Sequence, residues 1–347
     1  MRAGENKILT QMGVYRVVVV VGFLFLLAGC GLGWGEGAPE PLTVYTVLSE
    51  GEAAYYLADF AVAYPEVAVE LVSLPLEVLR QRLYAEQAAP QADVIWGVPL
   101  TTMLLLEWGD LLLPYAPEGL ERVRAHLRDP RPLPHWVGTN LAISALCVSE
   151  TINRARYPTV PARISDLLDP MYRRSLVMSD PVASPAGLIF VMTVLDIYGE
   201  QGGWQYLDEL HKNIGMYVAS DEEACLQAGL GEYPIAVARY FAGMPNVRFV
   251  YLEDGVGWDL LANALVRRNP VHPAAQTFLD WSISEIAMRL YARRSGVTGV
   301  ETGFSPPVSG FPVQLESQLR EPDIPWTAAN LNRILAEWQR RYGRENE

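Results

Sequence analysis

The chain has 347 residues, with 40 Asp and Glu against 27 Lys and Arg, for a formal net charge of −13. That length can bury the core of two ordinary domains or of one bilobal one. The acid excess excludes nucleic acid as a partner, since phosphates call for clustered Lys and Arg, and it disfavours electrostatic adhesion to anionic lipid.

Taken in order, the first segment carries Arg2, Lys7 and Arg16, followed by the apolar run Val17–Leu27. A basic head, a dozen apolar residues and small residues at the end predict a secretory signal over 1–29. The run falls short of the roughly twenty residues that span a bilayer, so a transmembrane anchor with a chance Cys is the weaker reading. Leu27-Ala28-Gly29-Cys30 resembles the lipobox of bacterial lipoproteins, in which the Cys thiol is acylated and becomes the new N-terminus. That resemblance implies a membrane anchor on Cys30 and a place at the outer face of the cytoplasmic membrane. Several acyl chains would be needed to hold it stably. Residues 30–41, rich in Gly and Pro, read as a flexible tether.

The folded body starts at Leu42. A short strand, Leu42–Leu48, ends at Ser49-Glu50-Gly51-Glu52, a Ser followed three residues later by Glu, which predicts a capped helix start. Ala53, Tyr56, Leu57, Phe60, Ala61 and Tyr64 then form one helical face, closed by Pro65. A strand at 67–72, a helix at 76–88 and a buried strand at 92–96 complete a strand–helix–strand pattern with a parallel sheet. Ligands gather at the carboxyl ends of such strands, here Ser49 and Trp96-Gly97.

A Pro-rich stretch around 114–134 leads into a long β segment, 136–148. A second α/β series follows. It has strands at 176–178, 214–219, 235–238, 247–251 and 258–266 and helices at 186–198, 202–213 and from 221, with paired helices at 273–281 and 284–293. The last helix carries the stripe Leu331, Ile334, Leu335, Trp338.

Several segments, in this order and spacing, resemble the iron(III)/2-aminoethylphosphonate-type solute-binding proteins of ABC importers. They include Leu42–Glu50, Gln91–Gly97, Trp136-Val137-Gly138, Ser165–Pro170, Val177–Pro181, Gly202-Gly203-Trp204, Gly231-Glu232-Tyr233 and Trp326–Asn330. The resemblance spans about residues 42–340. It implies an α/β, bilobal type II periplasmic-binding fold, with a cleft between two lobes joined by crossing strands. Residues 42–135 and 256–305 would form the first lobe and 136–255 the second, with 306–347 a C-terminal helical segment packed on both. The implied partners are a small-molecule solute and an ABC permease, with the chain monomeric and hinge closure as its motion.

Three helix starts are expected to face the cleft: Ser49, Ser184 and Ser220. Free N–H groups and a partial positive charge at helix N-termini suit anions, although each Ser could simply cap its own helix. The family commonly has Ser-Gly-Thr where this chain has Ser184-Pro185-Ala186, which loses a hydroxyl and a backbone donor. Glu50, Glu52, Asp221, Glu222 and Glu223 also crowd two of these starts. A strongly anionic ligand is therefore disfavoured against a zwitterion, an amine-bearing solute or a neutral polar one, unless these acids point to solvent. Iron-binding members use two adjacent tyrosines, whereas this chain has Arg239-Tyr240-Phe241, so no metal or other cofactor is expected. Tyr240 and Trp96 are expected to contact ligand, with a core position as the alternative for each, and Arg239 to pair with a carboxylate on the ligand or in the cleft. Cys147 and Cys225 are one disulfide or two buried thiols. The four His are scattered, and neither Cys looks activated, so no catalytic residue is expected. A sensor that passes its ligand state to a receptor, a ferric-iron binder, and, last, an enzyme on the same shell are the rival readings.

Overall fold

The computed structural model describes residues 40–152, 156–157, 159–239, 243–295, 298 and 319–343. Cys30, its leader and Tyr240 lie outside the described residues. The first lobe opens with β1 (Leu42–Thr46), flanked in parallel by β2 (Val69–Ser73) and β3 (Val94–Pro99). Helix α1 (Glu50–Ala63) buries Ala53, Tyr56 and Phe60 of the predicted stripe but leaves Ala61 exposed. Helix α2 (Leu76–Ala85) turns Leu76, Leu79 and Leu83 inward, as their spacing predicts.

Helix α3 (Leu100–Trp108) has no counterpart in the pattern read from sequence. Its LTTMLLLEW run lacks a polar face, so no 3.6-residue alternation marks it. A two-residue strand, β4 (Leu112–Leu113), follows.

The long segment predicted at 136–148 is a single strand, β5 (Val137–Ser149). Its first half pairs antiparallel with β10 (Trp258–Val266), and its second half with β8 (Ile235–Arg239) and β9 (Val247–Val250). β10 in turn pairs with β3, so β5 and β10 carry one continuous sheet from lobe to lobe, in the order β2-β1-β3-β10-β5-β8-β6-β7. In the second lobe β6 (Leu176–Ser179) runs parallel to both β7 (Ile214–Val218) and β8.

The two helices expected at 186–198 and 202–213 are present as the two arms of α4 (Pro185–His211), which meet at a kink where Gly199 takes φ 70° and ψ 167°. That conformation is nearly restricted to glycine. Helices α5 (Asp221–Gly229), α6 (Pro273–Ser282), α7 (Glu285–Ser295) and α8 (Ile324–Tyr342) follow.

Each lobe has its own core. The first centres on Phe60, Trp96, Phe278 and Trp281, whose rings meet at centroid distances of 5.1 to 6.2 Å. The second gathers Met178, Phe190, Val194 and Leu207 beneath β6 and β8. Burying each such side chain contributes roughly 1.5–3 kcal/mol. Helix α8 serves both cores, giving Leu331 and Leu335 to the first and Ile334, Trp338 and Tyr342 to the second.

Candidate functional site

The three expected helix starts converge. Ser49, Ser184 and Ser220 line one cavity of about 190 Å³ between the lobes, together with Glu52, Asp221, Glu222, Arg239 and Arg294. Each Ser also caps its helix. Ser49 accepts from the Glu52 N–H at 3.2 Å, Ser184 from Ala186 at 3.2 Å, and Ser220 from Glu223 at 3.1 Å. The capping role and the cleft-facing role therefore coexist at the same side chains.

The fourth helix start facing this region is already used by the protein. The N–H groups of Leu76 and Glu77, at the start of α2, donate to the carbonyls of Ala183 and Val182 in the opposite lobe, at 2.9 and 3.2 Å. This contact presses the turn before α4 against the first lobe. Gly187, in the first turn of α4, lets that helix pack tightly on the end of β6 in its own lobe, because a Cβ there would meet the Ser179 carbonyl at 2.2 Å.

The acids at the helix starts divide by environment. Glu50, Glu222 and Glu223 are exposed, as simple dipole complements would be. Glu52 and Asp221 are buried and share Arg239. The Arg239 Nε–H donates to Asp221 at 3.0 Å, and a terminal NH2 of the same guanidinium binds Glu52. The Ser184 hydroxyl also donates to Asp221. Burial alone would lower the Arg239 pKa, but the two carboxylates outweigh it and raise it, so the guanidinium stays charged. Glu52 thus breaks from the capping role its spacing suggests. Its carboxylate reaches across the cleft to Arg239, and accepts from the Tyr56 hydroxyl of its own helix at 3.4 Å, instead of turning back to the N-cap backbone.

Trp96 and Gly97 do not join the cavity. Trp96 is fully buried, and its indole N–H donates to the Tyr291 hydroxyl at 3.1 Å. Gly97, with φ 66°, gives its N–H to the Asn263 side chain at 2.8 Å. The strand does not end here as expected but runs on to Pro99, and α7 and β10 cover it at these residues, so Trp96 takes the core position that stood as its alternative. Cys147 on β5 and Cys225 on α5 form a buried disulfide, so neither sulfur is a free thiol. The cavity also contains Arg294, from the last turn of α7, which the sequence reading missed. A basic residue there reads as a complement to the helix dipole, and nothing local distinguishes the two roles.

A second cavity of about 380 Å³ lies between α4, the start of β10 and the segment leading into α8. It is walled by Leu188, Met192, Trp258 and Ile324 and by the charged Asp196, Asp259, Arg320 and Asp323, and holds none of the three caps. The smaller cavity gathers the starts of α1, α4 and α5 from both lobes, which makes it the candidate binding site.

Residues 109–309 match the family model described as bacterial extracellular solute-binding protein. An uncharacterized protein of Haemophilus influenzae is 24% identical over 218 residues, covering 60% of this chain and 63% of that protein. The probable ABC transporter periplasmic-binding protein y4fP of Sinorhizobium fredii is 25% identical over 272 residues, covering 74% of this chain and 73% of that protein. Among solved structures, the periplasmic binding protein AfuA from Actinobacillus pleuropneumoniae, with fructose-6-phosphate bound, superposes with a TM-score of 0.77. It is 18% identical, and the match covers 87% of this chain and 98% of that one.

Proposed function

The chain belongs to the bacterial extracellular solute-binding proteins, and from that premise we propose that it captures a small polar solute outside the cytoplasm and hands it to an ABC permease. Supporting the permease is the similarity to the Sinorhizobium fredii protein, itself described as a probable ABC transporter component. The observation that carries the reading is the convergence of Ser49, Ser184 and Ser220 on one cavity between the lobes. The lobes are taken as 42–135 with 256–305, and 136–255. Closure works by flexing where β5 and β10 cross, since these strands link the two halves of the sheet. Cys30 carries the lipid that keeps the protein at the membrane.

The ligand is a zwitterion or another organic solute of low net charge. Glu52 and Asp221 place negative charge beside two helix starts, and Arg239 is committed to both. A dianionic phosphate would find that guanidinium occupied. Ferric iron is the less favoured reading: it needs several hard oxygen ligands at once, and this chain has Arg239-Tyr240-Phe241 in place of two adjacent tyrosines.

Native mass spectrometry of freshly purified protein tests the proposal. The expected result is a retained organic solute of low mass, released on mild unfolding. Protein that carries no solute and is stabilised by none in a thermal-shift screen would overturn it.

A further inference from the structure

Arg294 differs from the other cation of the cleft. Its guanidinium lies 5.2 Å from the ring centroid of Tyr55, a cation–π contact. No carboxylate among the described residues stands within ion-pair distance of it, and its Nε–H is buried with no acceptor. A buried donor left unmade is costly and is ordinarily satisfied by something. Here the side chain lines the cavity that Ser49 and Ser220 also face.

Charge balance narrows what that something is. Glu52, Arg239 and Asp221 together carry one negative charge, spread over a buried cluster. Arg294 adds one positive charge, and Glu222 at the rim one negative. Among the described residues, the cavity therefore offers a single uncommitted cation facing a surplus of carboxylate. A dianion would be held by one partner and repelled by the rest. A simple amine would be drawn to the carboxylates but would leave Arg294 unmet.

Resting on the solute-capture reading above, we propose that Arg294 is the residue that receives the ligand's anionic group, and that the ligand is a small zwitterion with a carboxylate and an ammonium. The carboxylate accepts from the Arg294 guanidinium, a charge-assisted contact that Arg makes well. The ammonium faces Glu222 and the surplus charge of the buried cluster, and Ser49 and Ser220 supply hydroxyls between the two ends. The cavity, at about 190 Å³, suits a metabolite of a few heavy atoms and is smaller than the pockets that take drug-sized ligands.

The test is calorimetric titration of the wild type, Arg294→Gln and Arg294→Lys with the twenty proteinogenic amino acids, β-alanine and glycine betaine. Inorganic phosphate, succinate and ethanolamine serve as single-charge-type controls. At least one compound with both a carboxylate and an ammonium should bind the wild type, and none of the three controls should bind as tightly. Arg294→Gln should weaken that compound about 10- to 100-fold, the range for losing one charged hydrogen-bond partner, and Arg294→Lys should restore part of the loss. The melting temperature of ligand-free Arg294→Gln should stay near the wild-type value, because Arg294 holds no ion pair within the described residues. Tightest binding by phosphate, succinate or ethanolamine overturns the proposal, and so does an Arg294→Gln affinity within twofold of wild type. In either case a bound solute leaves the capture reading standing. If none of the panel binds and mass spectrometry of the purified protein finds no retained solute, both fail together. If it finds a solute lacking either charge, only the zwitterion proposal falls.

Discussion

Glu52 of α1 and Arg239 at the end of β8 meet across the cleft, a carboxylate from the first lobe on a guanidinium from the second. Both are buried, and Asp221 completes the cluster from the second lobe. The protein thus has an ion pair of its own spanning the gap that a ligand would bridge. Hinge closure in such a molecule is a competition between water and Arg239 for Glu52, with ligand contacts added on top.

Arg239→Gln is expected to lower stability by about 3–5 kcal/mol, the usual cost of stripping one partner from a buried ionic cluster. Two carboxylates would then face each other with the Ser184 and Tyr56 hydroxyls left to assist. Glu52→Gln is expected to do less harm, because Asp221 still balances the guanidinium. It should instead open the lobes, which small-angle X-ray scattering would register as a larger radius of gyration. An unchanged urea midpoint in Arg239→Gln would show that the cluster contributes nothing to the fold.

Asp259, at the edge of the second cavity, gives a pH prediction. Burial pushes its pKa up to about 6, against the stabilising hydroxyl of Thr101 and the N–H of Leu260. The folded protein therefore holds this proton more tightly than the unfolded chain, whose carboxyl titrates near 3.8. The stabilisation is full below that value and lost as pH rises through about 6, a change on the order of 3 kcal/mol. Asp259→Asn removes it. Urea unfolding at pH 4.5 and pH 7 should show the wild type losing stability relative to the variant over that interval, and parallel curves would contradict the assignment.

Much of this was legible because the signals are local. Ser49, Ser184 and Ser220 each sit where a strand end meets a helix start, and that junction is written in consecutive residues. The α/β pattern and the α8 stripe are periodic in the same way. Three features were not legible. Helix α3 is mostly apolar and packs on β3, β10 and α8, so its periodicity is weak. Trp96 was placed at a strand end, but β3 runs on to Pro99, and only the packing of α7 shows that the residue is sealed. Arg294 reaches the cavity from a helix 242 positions after Glu52, and no short-range pattern links the two.

The disulfide ties two parts of the site. Cys147 lies on the crossing strand β5, and Cys225 on α5, four residues after Asp221. Replacing both with Ala is expected to cost about 2–5 kcal/mol, mostly through the freed unfolded chain. Denaturation of the wild type with and without reductant should reproduce the difference. Equal midpoints in oxidised and reduced protein would mean that the bond adds no stability.

Helix α8 predicts how the lobes unfold. Trp338 is buried in the second core against Tyr342 and Tyr217, at ring centroid distances of 4.6 and 5.5 Å. Leu331, two turns earlier, is fully buried in the first core. Trp338→Ala should cost about 3–5 kcal/mol and Leu331→Ala about 2–5 kcal/mol, as for other large cavities. One helix serves both cores, and β5 and β10 run through both halves of the sheet, so a loss in either place should lower a single shared transition. Tryptophan fluorescence and far-UV circular dichroism would then coincide in both variants. Two separate transitions, with only the mutated lobe shifted, would show that the helix packs on the lobes without coupling them.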